Sequence, residues 1–314
     1  MSGIRQVRPP SGDDLDRAWA AVGGRLAPTP LVPTALAPGA LLKLESFQPT
    51  GSFKVRGAIA ALSALPAGVA AVTASAGNHA LGMAHAAKAT GRKVTVVVAE
   101  TASPAKVSAL RRFPVELVRH GPDFDAAEAH ALELAGRDLV YVSAYNDTHV
   151  IAGQATIGRE LDSQAAGPLT VVCGVGGGGL AAGLGLWAER RGDVRVVGVE
   201  AAASRGVSAS VAAGHVVTVT VGETIADGLS GNIEPGCVTP SLISGRVRLA
   251  SVTEPETREA MRWLFTRHGL VAEGAGAVGV AAVLAGKVEK TVGRLVVVLS
   301  GRNIAPAAYA EAVA

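Results

Sequence analysis

A lysine near the start of a predicted helix is the residue best suited to covalent chemistry. Lys54 follows the turn-forming run Pro49-Thr50-Gly51, and Ser52 is of a type that caps helices, so the spacing predicts a helix over 52–65. Burial and the positive end of the helix dipole both lower the pKa of an amine in the first turn. Such an amine suits Schiff-base formation, and a solvated surface lysine is the alternative interpretation.

A run of glycines between a predicted strand and a predicted helix is the second candidate. Residues 173–180 read Cys-Gly-Val-Gly-Gly-Gly-Gly-Leu, so backbone N–H groups converge at a helix start, which favours a bound phosphate. Gly174, Gly176 and Gly179 also satisfy the dinucleotide fingerprint, and Glu200 ends a strand about twenty residues later. The glycines alone therefore leave NAD and other phosphorylated cofactors open.

Two further predicted strands deliver polar groups at their carboxyl ends. Residues 75–79 read Ser-Ala-Gly-Asn-His, and their N–H groups with the Ser75 hydroxyl are suited to a carboxylate. The Asn78 amide suits a phenolic or carbonyl oxygen, and Ser300 ends a Val-rich run. An ordinary helix cap and an ordinary turn serine are the alternative interpretations.

An α/β framework must position these segments, because short Val- and Leu-rich runs alternate with helix-like stretches. This order predicts parallel sheets with right-handed crossovers and ligands at the carboxyl ends of the strands. The predicted strands are 41–44, 69–73, 94–98, 115–118, 139–142, 170–173, 194–200 and 295–299. The predicted helices are 52–65, 78–90, 104–111, 124–134, 152–161, 180–190, 254–268 and 276–284.

The density of strand–helix units divides the chain. Four of them lie between residues 69 and 146. We therefore expect a smaller domain over 67–146, inserted in a larger cofactor-binding domain that is built from 1–66 and 147–314.

Composition and charge exclude several classes of protein. The 39 glycines follow no three-residue period and charged residues make up 18%, which excludes a collagen and a disordered chain. The 29 basic and 26 acidic residues are spread along the chain, so nucleic-acid binding has no support. The uncharged run 169–188 contains seven glycines, which favours a strand, a loop and a helix start over a membrane span.

Compartment is indicated by the cysteines and the N-terminus. Cys173 and Cys237 form neither a CxxC motif nor a disulfide framework, and the N-terminus lacks the apolar core of a signal peptide. We expect a cytoplasmic protein.

Taken together, six segments resemble the fold-type II pyridoxal-phosphate enzymes, and among them the threonine/serine dehydratase and serine racemase group. The resemblance runs from about residue 28 to 303. It implies two open, mainly parallel αβα domains of the tryptophan synthase β type, with the cofactor in the cleft between them. The segments are ESFQPTGSFKVRGA (45–58), SAGNHALGMA (75–84), GGGGL (176–180), TIADGL (224–229), AEGAGA (272–277) and SGRNI (300–304).

The resemblance also implies a role for each site residue. Lys54 holds pyridoxal 5'-phosphate as a Schiff base beside Phe53, Asn78 bonds the phenolic oxygen of its ring, and Ser300 faces the ring nitrogen. Glu273 is an implied pocket residue, with a helix N-terminal carboxylate as the alternative. The implied phosphate cradle is Gly176, Gly177, Gly178, Gly179 and Leu180. The implied contacts to the substrate carboxylate are Ser75, Ala76, Gly77, Asn78 and His79.

The activity that the resemblance implies is β-elimination from L-threonine and/or L-serine, which yields a 2-keto acid and ammonia. Only 14 residues follow Ser300. We therefore expect a catalytic unit without the C-terminal regulatory domain of biosynthetic threonine dehydratases, assembled as a homodimer.

Two departures from the family pattern refine this expectation. Serine racemases carry a second serine where Ala76 stands, so we expect a dehydratase with little racemase activity. Cation-binding relatives pair a Glu at the position of Glu200 with an Asp where Gly206 stands, so we expect no tight metal site. The open alternatives are a dehydratase of a bulkier β-hydroxy amino acid, a serine racemase, an NAD-dependent dehydrogenase and a catalytically silent pyridoxal-phosphate-binding protein.

Overall fold

Two open β-sheets carry the fold of the computed structural model, which describes residues 4–135, 139–289 and 292–314. Within these ranges the strands are β1 Leu31–Pro33, β2 Leu41–Lys43, β3 Ala70–Ala74, β4 Val94–Val98, β5 Glu116–Arg119, β6 Leu139–Tyr141, β7 Leu169–Gly174, β8 Val194–Ala201, β9 Val247–Val252 and β10 Arg294–Val298. The larger sheet has the order β1-β2-β10-β7-β8-β9, and the smaller sheet has the order β5-β4-β3-β6. All strand pairs are parallel except β1 with β2. The fold is therefore mixed α/β, as predicted.

Helices cover both faces of the sheets. In the same ranges they are α1 Gly12–Gly23, α2 Lys54–Ala64, α3 Asn78–Thr90, α4 Pro104–Leu110, α5 Phe124–Ala135, α6 Thr148–Gln164, α7 Gly179–Arg191, α8 Gly206–Ala213, α9 Thr239–Ile243, α10 Glu254–His268, α11 Gly274–Leu284 and α12 Pro306–Val313. None of the helices in the described part of the chain is long and apolar enough to cross a membrane.

The strands of the larger sheet are continuously apolar because both of their faces are covered. Every residue of β7 is buried. Val171 belongs to the apolar core on the side of α6 and α7, whereas Val172 belongs to the core on the side of α10 and α11. Alternate residues of one strand thus seal two separate layers, which is the three-layer arrangement.

All eight predicted strands and all eight predicted helices are present, with some ends shifted. α6 begins four residues before the predicted start, because the Asp147 carboxylate accepts hydrogen bonds from the N–H groups of His149 and Val150. α2 begins at Lys54 rather than Ser52, so Ser52 is not its cap. Ser52 instead pairs with Gly301 in an isolated β-bridge.

In the part of the chain that the structure describes, two strands and four helices were not predicted from the sequence. β1 has three residues and ends in a proline, and β9 is an edge strand with a partly exposed interior, so neither has the apolar run of a buried strand. The smaller sheet lies within the predicted insertion 67–146, and the division of the chain into domains at those residues stays a prediction.

Candidate active site

The carboxyl ends of four strands define the candidate site. β7 and β10 are neighbours in the larger sheet, and their carboxyl ends lead into the glycine run and into Ser300. β3 and β6 are neighbours in the smaller sheet, and they lead into residues 75–78 and 143–146. In both sheets the neighbours are connected through other strands, so each pair marks a switch point, where open α/β sheets bind ligands.

Lys54 is the first residue of α2, and its surroundings favour a neutral amine. Its Nζ donates a hydrogen bond to the carbonyl oxygen of Ala144 at 2.8 Å and lies 5.3 Å from the centre of the Phe53 ring. Burial lowers the pKa of Lys54 to about 8, and the Glu273 carboxylate opposes this only in part. Lys54 therefore has the depressed pKa that a Schiff-base lysine needs.

The glycine loop forms an anion cradle at the start of α7. The N–H groups of Gly176, Gly177 and Gly178 donate to no acceptor among the described residues. Gly178 has a φ of +85°, and a methyl group on it would lie 2.8 Å from the Thr239 hydroxyl oxygen. A methyl group on Gly176 would lie 2.9 Å from the Leu229 Cα. The free N–H groups and the helix N-terminus fit a phosphate.

The loop and the lysine meet the same short segment after β6. Methyl groups on Gly177 and Gly179 would overlap or crowd Tyr145, whereas the neighbouring Ala144 carbonyl accepts from Lys54. The Tyr145 hydroxyl in turn accepts a hydrogen bond from the N–H of Glu234 at 3.0 Å. The amine and the anion cradle thus contact one two-residue segment, so one ligand that carries both a carbonyl group and a phosphate could reach both.

Ser300 lies directly beside the lysine segment. Its side chain is buried, and its Oγ donates to the Ala275 carbonyl at 3.3 Å. The N–H of Phe53 donates to the Ser300 carbonyl at 3.0 Å, which ties the start of α2 to the end of β10. The Oγ of Ser52, in the same place, is buried and has no hydrogen-bond partner among the described residues.

Asn78 and Glu273, which the resemblance assigns to the cofactor pocket, are in contact. The Asn78 Nδ2 donates to Glu273 Oε1 at 2.7 Å. Glu273 is buried at the residue before α11, and burial raises the pKa of its carboxyl to about 7, although the bond from Asn78 lowers it. Glu273 is therefore the residue that precedes α11, and its carboxylate lies against the Asn78 amide.

The segment 75–79 adds free backbone N–H groups to the Asn78 amide and the Ser75 hydroxyl. The Ser75 Oγ accepts from the N–H of Gly77 at 3.2 Å, and the Ala76 side chain is a methyl group. The N–H groups of Ala76, Asn78 and His79 have no acceptor among the described residues. This arrangement is suited to a carboxylate.

His79 corrects part of the expectation for this segment. Its ring is buried, and its Nε2 lies 3.2 Å from the Val142 carbonyl oxygen, away from the loop. Burial, with a contribution from Lys54, lowers the pKa of His79 to about 3, so the ring is neutral. The backbone N–H of His79, but not its imidazole, is available to a ligand.

Several residues that shape the site were not singled out from the sequence. They are Ala144 and Tyr145 after β6, Thr239, whose hydroxyl donates to the Gly177 carbonyl at 2.7 Å, and Asn303, which contacts Asn78. The position of residues 144 and 145 at the carboxyl end of a predicted strand was a usable signal. The contacts of Thr239 are set by tertiary packing alone.

Glu200 has a structural role. Its carboxylate accepts hydrogen bonds from the N–H groups of Val207 and Ser208, in the first turn of α8, and from the Ser208 hydroxyl. Among the described residues no three acidic, histidine or cysteine side chains are grouped as metal ligands would be. Cys173 is fully buried, and burial raises the pKa of its thiol to about 12.

A buried ionic network lies next to the start of α2, which carries Lys54. The Arg56 guanidinium contacts Glu45 at 2.7 Å and Glu160 at 2.7 Å, and Glu160 also contacts Lys43 at 2.5 Å. All four side chains are almost completely shielded from solvent. The network joins the first turn of α2 to β2, α6 and the short helix at residues 45–47.

Comparison with known proteins identifies the family. The family of pyridoxal-phosphate dependent enzymes matches residues 23–301. The L-threonine ammonia-lyase of Thermotoga maritima is 39% identical over 269 residues, which are 84% of this chain and 67% of that protein. The catabolic L-threonine dehydratase TdcB of Escherichia coli K12 is 36% identical over 275 residues, which are 84% of this chain and 82% of that protein.

Two solved structures have a similar fold and match this chain over almost its whole length. The threonine deaminase from T.th. is 34% identical with a TM-score of 0.85, and the match covers 94% of this chain and 99% of that chain. Maize serine racemase is 25% identical with a TM-score of 0.89, and the match covers 97% of each chain.

The chain belongs to the fold-type II pyridoxal-phosphate enzymes. Within them it belongs to the threonine/serine dehydratase family, which includes the L-threonine ammonia-lyases described above. Pyridoxal phosphate is its cofactor, and the dinucleotide interpretation of Gly174, Gly176 and Gly179 is wrong.

Proposed function

We propose that the protein converts L-threonine and/or L-serine into a 2-keto acid and ammonia by β-elimination. The similarity to threonine ammonia-lyases over 84% of the chain supports the reaction. The observation that carries the proposal for this chain's own residues is the shared Ala144–Tyr145 segment, which brings a low-pKa lysine and an anion cradle together.

Five segments of the chain would hold the cofactor. Lys54 would bind its carbonyl carbon with Phe53 alongside, Asn78 and Glu273 would lie at the phenolic oxygen, and Ser300 would lie at the ring nitrogen. The phosphate would accept from the backbone N–H groups of Gly176, Gly177, Gly178, Gly179 and Leu180. When bound, pyridoxal phosphate delocalises negative charge that develops at the substrate Cα.

Lys54 would act as the base once the substrate amine has displaced it. A pKa of about 8 leaves a useful fraction of neutral amine near neutral pH, which suits proton removal from Cα. The Ser300 hydroxyl is neutral, so it would leave the ring nitrogen largely unprotonated. That moderates electron withdrawal and favours elimination over transamination.

The substrate carboxylate would bind at residues 75–79. The Ser75 hydroxyl and the free N–H groups of Ala76, Asn78 and His79 support this proposal. Gly77 would contribute space at the turn, since its N–H is already bonded to Ser75.

Ala76 disfavours the serine racemase alternative. Racemisation requires an acid–base group on the face of Cα opposite to Lys54, and the methyl group of Ala76 supplies none. A bulkier β-hydroxy amino acid remains the alternative substrate, because the turn-rich residues 230–236 follow TIADGL in the sequence.

One panel of assays tests the activity. Purified enzyme is assayed for keto-acid and ammonia release from L-threonine, L-serine, their D-forms, threo-3-hydroxyaspartate and phenylserine, and for L-to-D interconversion of serine. We expect release from L-threonine or L-serine, loss of release in Lys54→Ala, and retention in Lys88→Ala, a change at the exposed end of α3.

Three outcomes contradict the proposal. A yellow protein that releases no ammonia is a silent binder. Serine interconversion as fast as pyruvate formation indicates a racemase. Cysteine formation from O-acetylserine and sulfide, without keto acid from any substrate of the panel, indicates β-replacement.

We further propose a cytoplasmic homodimer whose smaller domain comprises residues 67–146. The placement of all four strands of the smaller sheet between Ala70 and Tyr141 supports the boundaries.

Light scattering of the purified enzyme tests the dimer, and a monomeric mass for the active enzyme contradicts it.

A further inference from the structure

Asn303 joins two segments of the site through one amide. Its Nδ2 donates to the backbone carbonyl of Thr50 at 2.7 Å and to the Oδ1 of Asn78 at 2.6 Å. Thr50 lies in the turn before α2 and Asn78 begins α3. The same side chain therefore touches the loop that leads to the lysine and the amide proposed to bind the cofactor ring.

The Thr50 carbonyl determines how the side-chain amides of Asn303 and Asn78 are oriented. A backbone carbonyl only accepts, so the Asn303 atom that faces it is the NH2 group. That NH2 group then requires an acceptor on Asn78, which places the Asn78 Oδ1 towards Asn303. The Asn78 NH2 group is left to face Glu273 Oε1 at 2.7 Å and the site beyond it.

Asn303 is exposed to solvent, and its amide lies against Gly51. Gly51 has a φ of +74°, and a side chain on it would overlap the Asn303 Oδ1. The next residue back, Arg302, donates its N–H to the Gly51 carbonyl at 2.9 Å. The Asn303 amide thus occupies space that a side chain on Gly51 would need, and the Arg302 N–H bond ties the two segments together.

We propose that Asn303 is a positioning residue, which orients the Asn78 amide so that an N–H group faces the bound cofactor. The inference rests on the proposed location of the cofactor ring beside Asn78. Without Asn303, only the bond to Glu273 Oε1 orients the Asn78 amide, so a rotated amide that presents its carbonyl oxygen to the phenolic oxygen of the ring becomes more populated. Two facing lone pairs repel, so both cofactor affinity and the ionisation of that phenolic oxygen change.

The test is a double-mutant cycle with two readouts that do not depend on turnover. Asn303→Ala and Asn303→Asp are made in the parent and in Asn78→Ala. For each variant we measure the Kd of pyridoxal phosphate for the cofactor-free protein and the pH dependence of the absorption spectrum of the loaded protein. Thermal unfolding of the cofactor-free variants reports on folding, and Arg302→Gln is the neighbouring control, because the Arg302 side chain stacks on the Phe47 ring.

We expect Asn303→Ala to weaken cofactor binding by about tenfold, the order expected for a lost oriented hydrogen bond, and to shift the pH midpoint of the spectrum. Asn303→Asp should have a larger effect, because a carboxylate repels the Thr50 carbonyl and attracts the Asn78 NH2 group away from the site. In Asn78→Ala, neither change at residue 303 should have a further effect. Arg302→Gln should match the parent.

Equal effects of Asn303→Ala in the parent and in Asn78→Ala overturn the inference, since they mean a merely structural role. So does a parent-like Kd and spectrum in Asn303→Ala when Asn78→Ala alters both. Parent-like values in Asn78→Ala itself overturn instead the location of the cofactor ring, and the inference with it. Loss of the parent melting transition in Asn303→Ala leaves the decision to Asn303→Asp, judged by the same criteria.

Discussion

At the scale of single residues, the site depends on groups whose protonation is set by burial. Burial lowers the pKa of Lys54 and raises the pKa of Glu273, because it favours the neutral form of each group. An amine with a pKa of about 8 and a carboxyl with a pKa of about 7 both exchange protons readily near neutral pH, which is useful where protons are moved. Neither shift follows from the residue type, and both require the fold.

Glu273 should make the stability of the cofactor-free protein fall as the pH rises. Its folded-state pKa of about 7 lies above the ordinary value of 4.5, so the folded state binds more protons between these values. The free energy of unfolding therefore decreases as the pH rises through this interval. Above pH 7 the whole of this loss of stability is present. Glu273→Gln removes this cost and keeps an acceptor for Asn78.

Urea unfolding of the cofactor-free protein at pH 5 and pH 8 measures the effect. Relative to the parent, the free energy of unfolding of Glu273→Gln should increase by about 2.5 kcal/mol between pH 5 and pH 8. Glu189→Gln, at an exposed carboxylate that pairs with Arg246, should follow the parent. A pH-independent difference between Glu273→Gln and the parent would show that the carboxyl is not shifted.

At the scale of elements, the start of α7 and the start of α2 carry the site. The glycine loop exists as a cradle because its residues have no side chains to obstruct Leu229, Tyr145 and Thr239. The first turn of α2 is joined to neighbouring elements by the ionic network of Lys43, Glu45, Arg56 and Glu160. Each can be tested with a matched control elsewhere in the chain.

Gly178→Ala should lose cofactor affinity, and Gly192→Ala should not. Both glycines have a φ of +85°, at opposite ends of α7, so both substitutions carry a backbone strain of about 1 kcal/mol. A methyl group at residue 178 also meets Thr239, whereas nothing lies within 4 Å of one at residue 192. Titration of each cofactor-free variant with pyridoxal phosphate measures the difference, and equal Kd values for the two variants would contradict the role of the loop.

Arg56→Met should destabilise the protein strongly. It leaves the Glu45 and Glu160 carboxylates buried with less compensation, and removal of one partner from a buried ion pair costs about 3–5 kcal/mol. Chemical denaturation of the cofactor-free protein measures this loss.

The matched control for the network is an arginine on the surface. Arg159 pairs with Asp162 at 4.0 Å, and about 40% of each side chain is exposed. Arg159→Met should therefore cost less than about 1 kcal/mol. Similar losses for the two substitutions would mean that the buried network does not stabilise α2.

At the scale of the whole molecule, the site is assembled from distant parts of one chain. Residues 52–54, 176–180 and 300–303 come from the part of the chain that builds the larger sheet, whereas 75–79 and 144–145 follow strands of the smaller sheet. A ligand bound there contacts both sheets, so its binding free energy should stabilise both together.

Removal of the cofactor should lower the stability of the entire molecule. At a ligand concentration of 100 times Kd, binding adds about 2.7 kcal/mol to the free energy of unfolding. We expect one calorimetric transition that moves to lower temperature when pyridoxal phosphate is removed and returns when it is added back. Pyridoxine phosphate, which lacks the carbonyl group, should restore less of the shift. Two transitions, of which one responds to the cofactor, would contradict a site shared by both sheets.

Much of this protein follows from local sequence. Buried parallel strands need continuous apolar runs, helix starts need caps, and a phosphate loop needs glycines, so the sheets and the glycine cradle were predictable from residues 41–44, 94–98 and 173–180. The sequence also predicted the location of Lys54 at the start of α2, and the structure gives it a lowered pKa, as a Schiff-base lysine would need. The short strand β1 and the edge strand β9 were not, since neither needs such a run.

Tertiary structure alone decided how the side chains of the site are used. In the folded protein the His79 ring contacts the Val142 carbonyl, and the Glu200 carboxylate accepts hydrogen bonds from the first turn of α8. Helix α2 begins after Ser52, and Asn303 contacts Asn78. The physical reason is that residue type and local spacing determine which groups lie at a strand end. The direction in which each group points, and whether it is charged, depends on atoms that are distant in sequence and close in space.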